Sequence, residues 1–290
     1  SQLPNGSLNL AGVGIANSIL NYFAFTFFFL VVTTTSSVAE GLALSAAKSG
    51  KSDKDVDLRE GEIDDAGRKE GSRIIAGSML IALGLGLTSA SMAWHFAPNL
   101  VSLVGSEKSA EALPYAIAYM QSKAPGIVAQ LMFFSIIGGF RGYGDLKTPL
   151  IGNILSSCSK VAFGYIFLFK MEIGISGAGL ADSMSRYFST LTLLYILTRQ
   201  RRLRLKDLFK IPEKKIFVDL FAPGGALTVR KIVEQLCFTC TTRVSASLGP
   251  AVVASTEVCR QCWSVLSVLW WPMSVAGQTI VAGGLGGLEK

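Results

Sequence analysis

Long apolar runs alternate with short charged segments along the whole chain. The runs cover residues 8–38, 74–96, 113–140, 148–169, 174–198, 218–248 and 251–285. A bilayer core about 30 Å thick needs ~20 helical residues to cross, and each run is at least that long. The pattern predicts seven membrane-spanning helices. The last two runs are separated only by Gly249-Pro250, which reads as a tight turn between antiparallel helices.

The charged segments set an orientation. Segments 48–73, 141–147 and 199–215 together hold seventeen Lys and Arg, against Lys108 and Lys170 on the opposite side. Basic loops stay in the cytoplasm or its equivalent compartment, so the first span is expected to begin outside. Segment 48–73 also carries eight acids and reads as a solvated connection. Composition agrees with this picture. Of 290 residues, 50% are hydrophobic and 16% charged, and mean hydropathy is +0.45. Soluble domains usually carry about 25% charged residues. Disorder, collagen-like repeats and a disulfide-rich secreted scaffold are excluded. The net charge of +7 is therefore assigned to loops on one membrane face and not to nucleic-acid binding. The chain opens on Ser1, and no signal-peptide pattern is present.

The sequence repeats once, at an offset of 243 residues: TTSSVAEGL at 34–42 lies against GQTIVAGGL at 277–285, and Ala11, Ile15, Asn17 and Asn21 meet Ala254, Val258, Arg260 and Ser264. Spans one and seven would then hold equivalent positions in two successive bundles that run in the same direction. Parallel six-span repeats are a transporter architecture, with the substrate at the repeat interface. Residues 1–198 are expected to form a first lobe that lacks its opening helix, 199–215 a basic cytoplasmic linker, and 216–290 the first two spans of a second lobe. The chain reads as the middle of a longer protein.

Three stretches carry a family resemblance. Gly138-Gly139-Phe140-Arg141-Gly142-Tyr143-Gly144-Asp145-Leu146-Lys147-Thr148-Pro149-Leu150 is similar to the GxFRGxxDTKTPL motif of the MATE (multidrug and toxic compound extrusion) family. Gly174-Ile175-Ser176-Gly177-Ala178-Gly179-Leu180-Ala181 is similar to its GIxGAAxA. Residues 236–286, with Val275-Ala276-Gly277-Gln278, resemble the AVAGQAIxA of its plant-type, DinF-like branch, which includes citrate and plastid members. The resemblance implies an all-α membrane protein, a multi-span bundle covering about helices two to eight of a twelve-helix fold. It also implies an alternating-access antiporter that exports small organic compounds, an organic acid anion or a xenobiotic, in exchange for protons or sodium, in the plasma membrane or an organellar envelope such as that of plastids. In the first motif, Arg141, Asp145 and Lys147 lie at the cytoplasmic end of one span and Pro149 opens the next. Pro is tolerated there because its missing N–H would be unpaired, so the motif is assigned a structural role.

A charge at mid-membrane costs ~2.5–3.5 kcal/mol on insertion scales and points to a cavity or a partner. Lys160 sits mid-span within Ser156-Ser157-Cys158-Ser159-Lys160. The family usually has Asn there and Asp four residues on, as part of a cation pocket; this chain has Lys160 and Gly164. The Lys160 ammonium is expected to stand in the place of the coupling cation and to favour an anionic substrate such as an organic acid. Asp182 is its expected counter-charge, with Arg186 pairing to Asp182 at i,i+4. The alternative is a structural Lys160–Asp182 bridge that tightens the bundle.

Two later spans show polar stripes: Arg230, Glu234, Cys237, Thr241 and Ser245 on one, and Glu257, Arg260, Ser264, Ser267, Trp271, Ser274 and Gln278 on the other. Stripes of this kind on apolar helices suggest a wet cleft between lobes. Glu234 and Glu257 are candidate proton-coupling acids. The competing expectations are an intrahelical Arg230–Glu234 pair and a Glu257 near the outer surface. Cys237, Cys240, Cys259 and Cys262 have zinc-site spacing, but they lie in apolar helical runs where thiols pack as small hydrophobes. His95 marks a span end beside Trp94. A seven-helix receptor and a lipid-linked flippase of related architecture are the rival readings. No phosphate loop, nucleophile elbow or histidine–carboxylate cluster supports an enzyme. No cofactor or metal is expected; the expected partners are a small-molecule substrate, a coupling proton or sodium ion, and membrane lipid.

Overall fold

A computed structural model describes residues 6–48, 65–204, 207 and 214–267. All regular elements among these residues are helical. They are α1 (Gly6–Thr26), α2 (Phe29–Lys48), α3 (Asp65–His95), α4 (Ala97–Val104), α5 (Leu113–Lys123), α6 (Gly126–Gly142), α7 (Lys147–Tyr165), α8 (Ile175–Arg199), α9 (Lys214–Leu248) and α10 (250–267). A 3-10 turn over Glu107–Ala112 precedes α5, and a π turn over Ile166–Lys170 ends α7. The acid-rich residues 49–64 and the later repeat element at 277–285 lie outside the described residues.

The first six apolar runs map onto these helices in order, and the described part of the seventh is α10. α1 and α2 form one span interrupted at 27–28 by i→i−3 bonds such as Phe28 N–H to Phe25 O at 3.0 Å. α5 and α6 form a single span bent by 49°. Gly6–Leu42, Gly67–His95, Lys147–Lys170 and the bent pair are long and apolar enough to cross a membrane. α8 and α9 fall short of that apolarity while having ample length, 25 and 35 residues at ~1.5 Å each. The reason for α8 is physical: Asp182, Ser183, Ser185, Ser189 and Thr190 are buried inside the bundle. Ser183 and Thr190 donate to carbonyls of the α5–α6 span.

Almost every residue of α6 is buried, so this helix is the axis of the first bundle, packed by α2, α3 and α8. Gly138 and Gly142 make the contact with α2 close. A Cβ at Gly138 would stand 2.8 Å from Val31 O, and one at Gly142 2.6 Å from Val38 Cβ. Gly139 faces α3 in the same way, 2.7 Å from Ile75 Cδ1. Small residues at i and i+4 allow this approach where lipid supplies no hydrophobic drive between helices.

The described parts of the three basic segments converge at one end of the bundle. Ser72 Oγ donates to Asp207 Oδ2 at 2.8 Å and accepts from Arg204 N–H at 2.9 Å. Tyr143 O–H donates to Arg202 O at 3.3 Å. Arg202 Nη1 pairs with Asp145 Oδ2 at 3.0 Å, its guanidinium lying over the Phe140 and Tyr143 rings. Asp145 also accepts from the N–H groups of Lys147 and Thr148 and from Thr148 Oγ1, which caps the start of α7. The GGFRGYGDLKTPL motif is thus a clamp on the connector leading to α9. Asp145 carries that role, Pro149 is buried in the first turn of α7, and Arg141 and Lys147 point out exposed. At the opposite end, Ser106 Oγ donates to Ala246 O at 2.6 Å and ties the 3-10 turn to the α9–α10 corner.

Candidate functional site

A chain of charged and polar side chains crosses the bundle from α7 to α10. Its first part is a carboxylate held by two ammonium groups. Asp182 on α8 pairs with Lys160 on α7 at 2.5 Å and with Lys123 at the end of α5 at 3.2 Å. The Lys123 side chain is 18% exposed and that of Lys160 is 56% exposed. Lys123 is the buried partner.

Lys123 owes its place to the break in its span. Pro125 has no N–H, and the bend after Lys123 frees backbone carbonyls that must find donors in an apolar setting. α8 supplies them: Ser183 Oγ donates to Ser122 O and Lys123 O, both at 3.2 Å, and Tyr187 O–H donates to Pro125 O at 3.0 Å. One turn of α8 therefore satisfies the broken backbone while Asp182, its neighbour, receives the lysine.

The second part runs through α1. Lys123 Nζ donates to Asn17 Oδ1 at 2.9 Å, Tyr119 O–H donates to the same oxygen at 3.4 Å, and Asn17 Nδ2 donates to Glu257 Oε1 at 3.3 Å. Glu257 is 3% exposed and also accepts from Arg260 and, at 3.0 Å, from Gln261 Nε2. Gly14 faces α10 at this level, where a Cβ would lie 3.2 Å from Val253 Cγ1 and in ordinary contact, 3.5 Å, with Glu257 Cβ.

Several expectations change at this point. Lys160 does meet Asp182, but Arg186 lies 5.6 Å over the Phe133 ring and makes no ion pair among the described residues. The i,i+4 pairing of Arg186 with Asp182 is thereby replaced: Lys123 and Lys160 fill the carboxylate. Glu234 pairs with Lys231 at 2.8 Å, not with Arg230, which is exposed. Lys231 also sits 5.6 Å over Phe28, which draws its ammonium towards α2. Glu257, seven residues after Pro250, is buried where α10 packs on α1. Lys123 and Asn17 were missed as site residues. The signal for Lys123 was a cation inside an apolar run, two residues before Pro125-Gly126. All five cysteines are free and exposed, and no group of three or more His, Cys, Asp or Glu is placed to hold a metal among the described residues.

A multi-span helical bundle with broken spans and a buried ionic network defines an integral membrane protein. The MatE family model matches residues 66–166. Protein DETOXIFICATION 43 of Arabidopsis thaliana is 32% identical over 210 residues, 71% of this chain and 38% of that protein. Protein DETOXIFICATION 45, chloroplastic, of the same organism is 27% identical over 284 residues, 96% of this chain and 49% of that protein. Among solved structures, the MATE multidrug transporter DinF-BH in complex with R6G aligns with a TM-score of 0.72 at 17% identity, over 88% of this chain and 52% of that one. An inward-facing multidrug resistance MATE family transporter gives 0.71 at 20% identity, over 87% and 53%. The chain belongs to the MATE family. It spans less than half the length of the two curated relatives above.

Proposed function

We propose that this chain supplies the first half and the start of the second half of a secondary active antiporter. It exports small organic anions, organic acids foremost, in exchange for protons or sodium by alternating access. One observation carries the substrate class. The spans of the first bundle hold three cations, Lys123, Lys160 and Arg186, against one carboxylate, Asp182; the two lysines pair with it, and Arg186 lies over the Phe133 ring. An uncompensated positive charge in a low-dielectric interior is expensive, and an anionic substrate is the partner that lowers its energy.

Contact between repeat-equivalent positions supports two halves on either side of the linker 199–215. Gly14 and Glu257 are 243 residues apart, the offset of the repeat, and they face one another across α1 and α10. A position touching its own equivalent is what a two-fold axis through that contact produces. The basic segments at the opposite end from the α9–α10 corner assign that end to the cytoplasm. Glu257 is the favoured coupling acid over Glu234, because it is buried and joined to the cationic cluster through Asn17, whereas the Glu234 side chain is 41% exposed. The membrane is the plasma membrane or a plastid envelope; three of the similar Arabidopsis proteins are named chloroplastic.

The test is uptake selectivity of the intact gene product in proteoliposomes. Lys160→Asn should lower the preference for citrate over tetraethylammonium about ten-fold, and unchanged selectivity would end the anion claim. Glu257→Gln should abolish uptake driven by a pH gradient while citrate–citrate exchange continues.

A further inference from the structure

α1 carries polar contacts to both parts of the network. It faces α5 through Gly12, where a Cβ would lie 2.8 Å from Tyr115 Cβ, and faces α10 through Gly14, 3.2 Å from Val253 Cγ1. Asn17 follows Gly14 by one helical turn and is 8% exposed. The two ends of its amide have opposite partners: Oδ1 accepts from Lys123 and Tyr119, and Nδ2 donates to Glu257. An amide is the side-chain group that offers an acceptor and a donor on one rigid plane. Turned over, it would set its NH2 against an ammonium and its oxygen against a carboxylate. The charges on either side therefore hold the amide in one orientation.

We propose that Asn17 is a positioning residue that links the charge state of Glu257 to the placement of the Lys123 ammonium, and through it to the affinity for an anion. The relay rests on the roles given above to Lys123 and Glu257. Its logic is direct. An ionised Glu257 fixes the amide, and the fixed Oδ1 shares Lys123 with Asp182. A neutral Glu257, still met by Arg260 and Gln261 of its own helix, can either accept from the amide NH2 or donate to the amide oxygen, so it no longer selects one orientation, and the acceptor that Lys123 shares with Asp182 is no longer fixed. Neither end touches the other without Asn17, so the coupling passes through one side chain with two discrete orientations.

Two readouts test this in the intact gene product. The first is a thermal-unfolding cycle of Lys123→Met, Glu257→Gln and the double variant, made with Asn17 and again with Asn17→Ser, whose hydroxyl is too short to reach both partners. With Asn17 present, the double variant should lose at least about a third less in Tm than the two single losses summed, as expected for residues in one network. With Ser in its place the losses should add. Additive losses in the Asn17 background overturn the relay, whether or not Asn17→Ser folds. The second readout is citrate–citrate exchange, which Glu257→Gln leaves running. Glu257→Gln should shift the KM for citrate about five-fold or more with Asn17 present and less than about two-fold with Asn17→Ser, while kcat falls in both. An equal KM shift in both backgrounds would show a through-space field and overturn the relay. Absence of citrate transport by the unmodified protein would sink the proposed function, and the unfolding cycle, which needs no substrate, would still decide the relay.

Discussion

Replacing Asp182 by Asn leaves two ammonium groups facing a neutral amide, and the structure says which of them matters. Lys160 makes the shorter contact, 2.5 Å against 3.2 Å, but its side chain is 56% exposed while that of Lys123 is 18% exposed. On the proposed water-accessible route an exposed ion pair is worth ~0.2–1 kcal/mol, whereas orphaning one partner of a buried pair costs about 3–5 kcal/mol. Burial therefore outweighs distance. Asp182→Asn should lose about 3 kcal/mol, nearly all from Lys123, and Lys160→Met no more than about 1 kcal/mol. At roughly 2–4 °C per kcal/mol for a chain of this size, the Tm should fall by about 6–12 °C and about 2–4 °C respectively. Asp182→Asn/Lys123→Met removes the stranded charge and should recover more than half of the Asp182→Asn loss. Thermal unfolding in detergent micelles, followed by tryptophan fluorescence, gives all four values. A Lys160→Met loss equal to that of Asp182→Asn, or a double variant less stable than Asp182→Asn, would refute the reasoning.

Further outcomes follow from the clamp and the glycine contacts. Burial works against the Asp145 carboxylate, but bonds from Thr148 and the Arg202 guanidinium outweigh it and hold its pKa below the ordinary 3.8. A lowered carboxylate pKa gives stability that is complete above 3.8 and is lost as pH falls through the folded value. The stabilising difference between Asp145 and Asp145→Ala, about 1–2 kcal/mol as a cap and pair, should be constant from pH 5 to 8 and shrink as the pH falls below 3.8 in urea titrations. Burial pushes the Tyr143 hydroxyl up to about 12, against the lowering by Arg202 and Arg68, so no Tyr143 ionisation should appear in ultraviolet titration below about pH 11. Gly138→Leu would drive a side chain into Val31 O and Thr34 and should cost at least about 1–3 kcal/mol by overpacking, read as a lower Tm. Gly164→Leu, where nothing lies within 4 Å of the Cβ, should leave Tm within about 1–2 °C.

The helices were legible because apolar length is dictated by the bilayer: six runs became helices in the expected order and the described part of the seventh is α10, while three helices and the bent pair are apolar enough to cross. The convergence of the three basic segments was legible from charge alone. Lys160 and Asp182 stood out as single charges at mid-span, and their pairing followed. What escaped was set by the bend at Pro125. It moves Lys123 from the flank of a straight helix to the side facing α1 and α8, and no periodicity reports a 49° turn. Arg186 lies at the correct spacing for Asp182 on its own helix, yet two lysines from other helices fill the carboxylate and the guanidinium settles on Phe133. Asn17 is an unremarkable residue in an apolar run. Its place between Lys123 and Glu257 depends on Gly12 and Gly14 bringing two other helices within van der Waals reach.

The central claim is that surplus positive charge inside the bundle receives an anion. Calorimetric binding of citrate to the purified intact gene product tests it most directly, with Lys123→Met/Lys160→Met as the comparison and tetraethylammonium as competitor. The account predicts saturable citrate binding that tetraethylammonium does not displace and that weakens at least ten-fold in the double variant. Tetraethylammonium binding in place of citrate, or equal citrate affinity in the double variant, would contradict it.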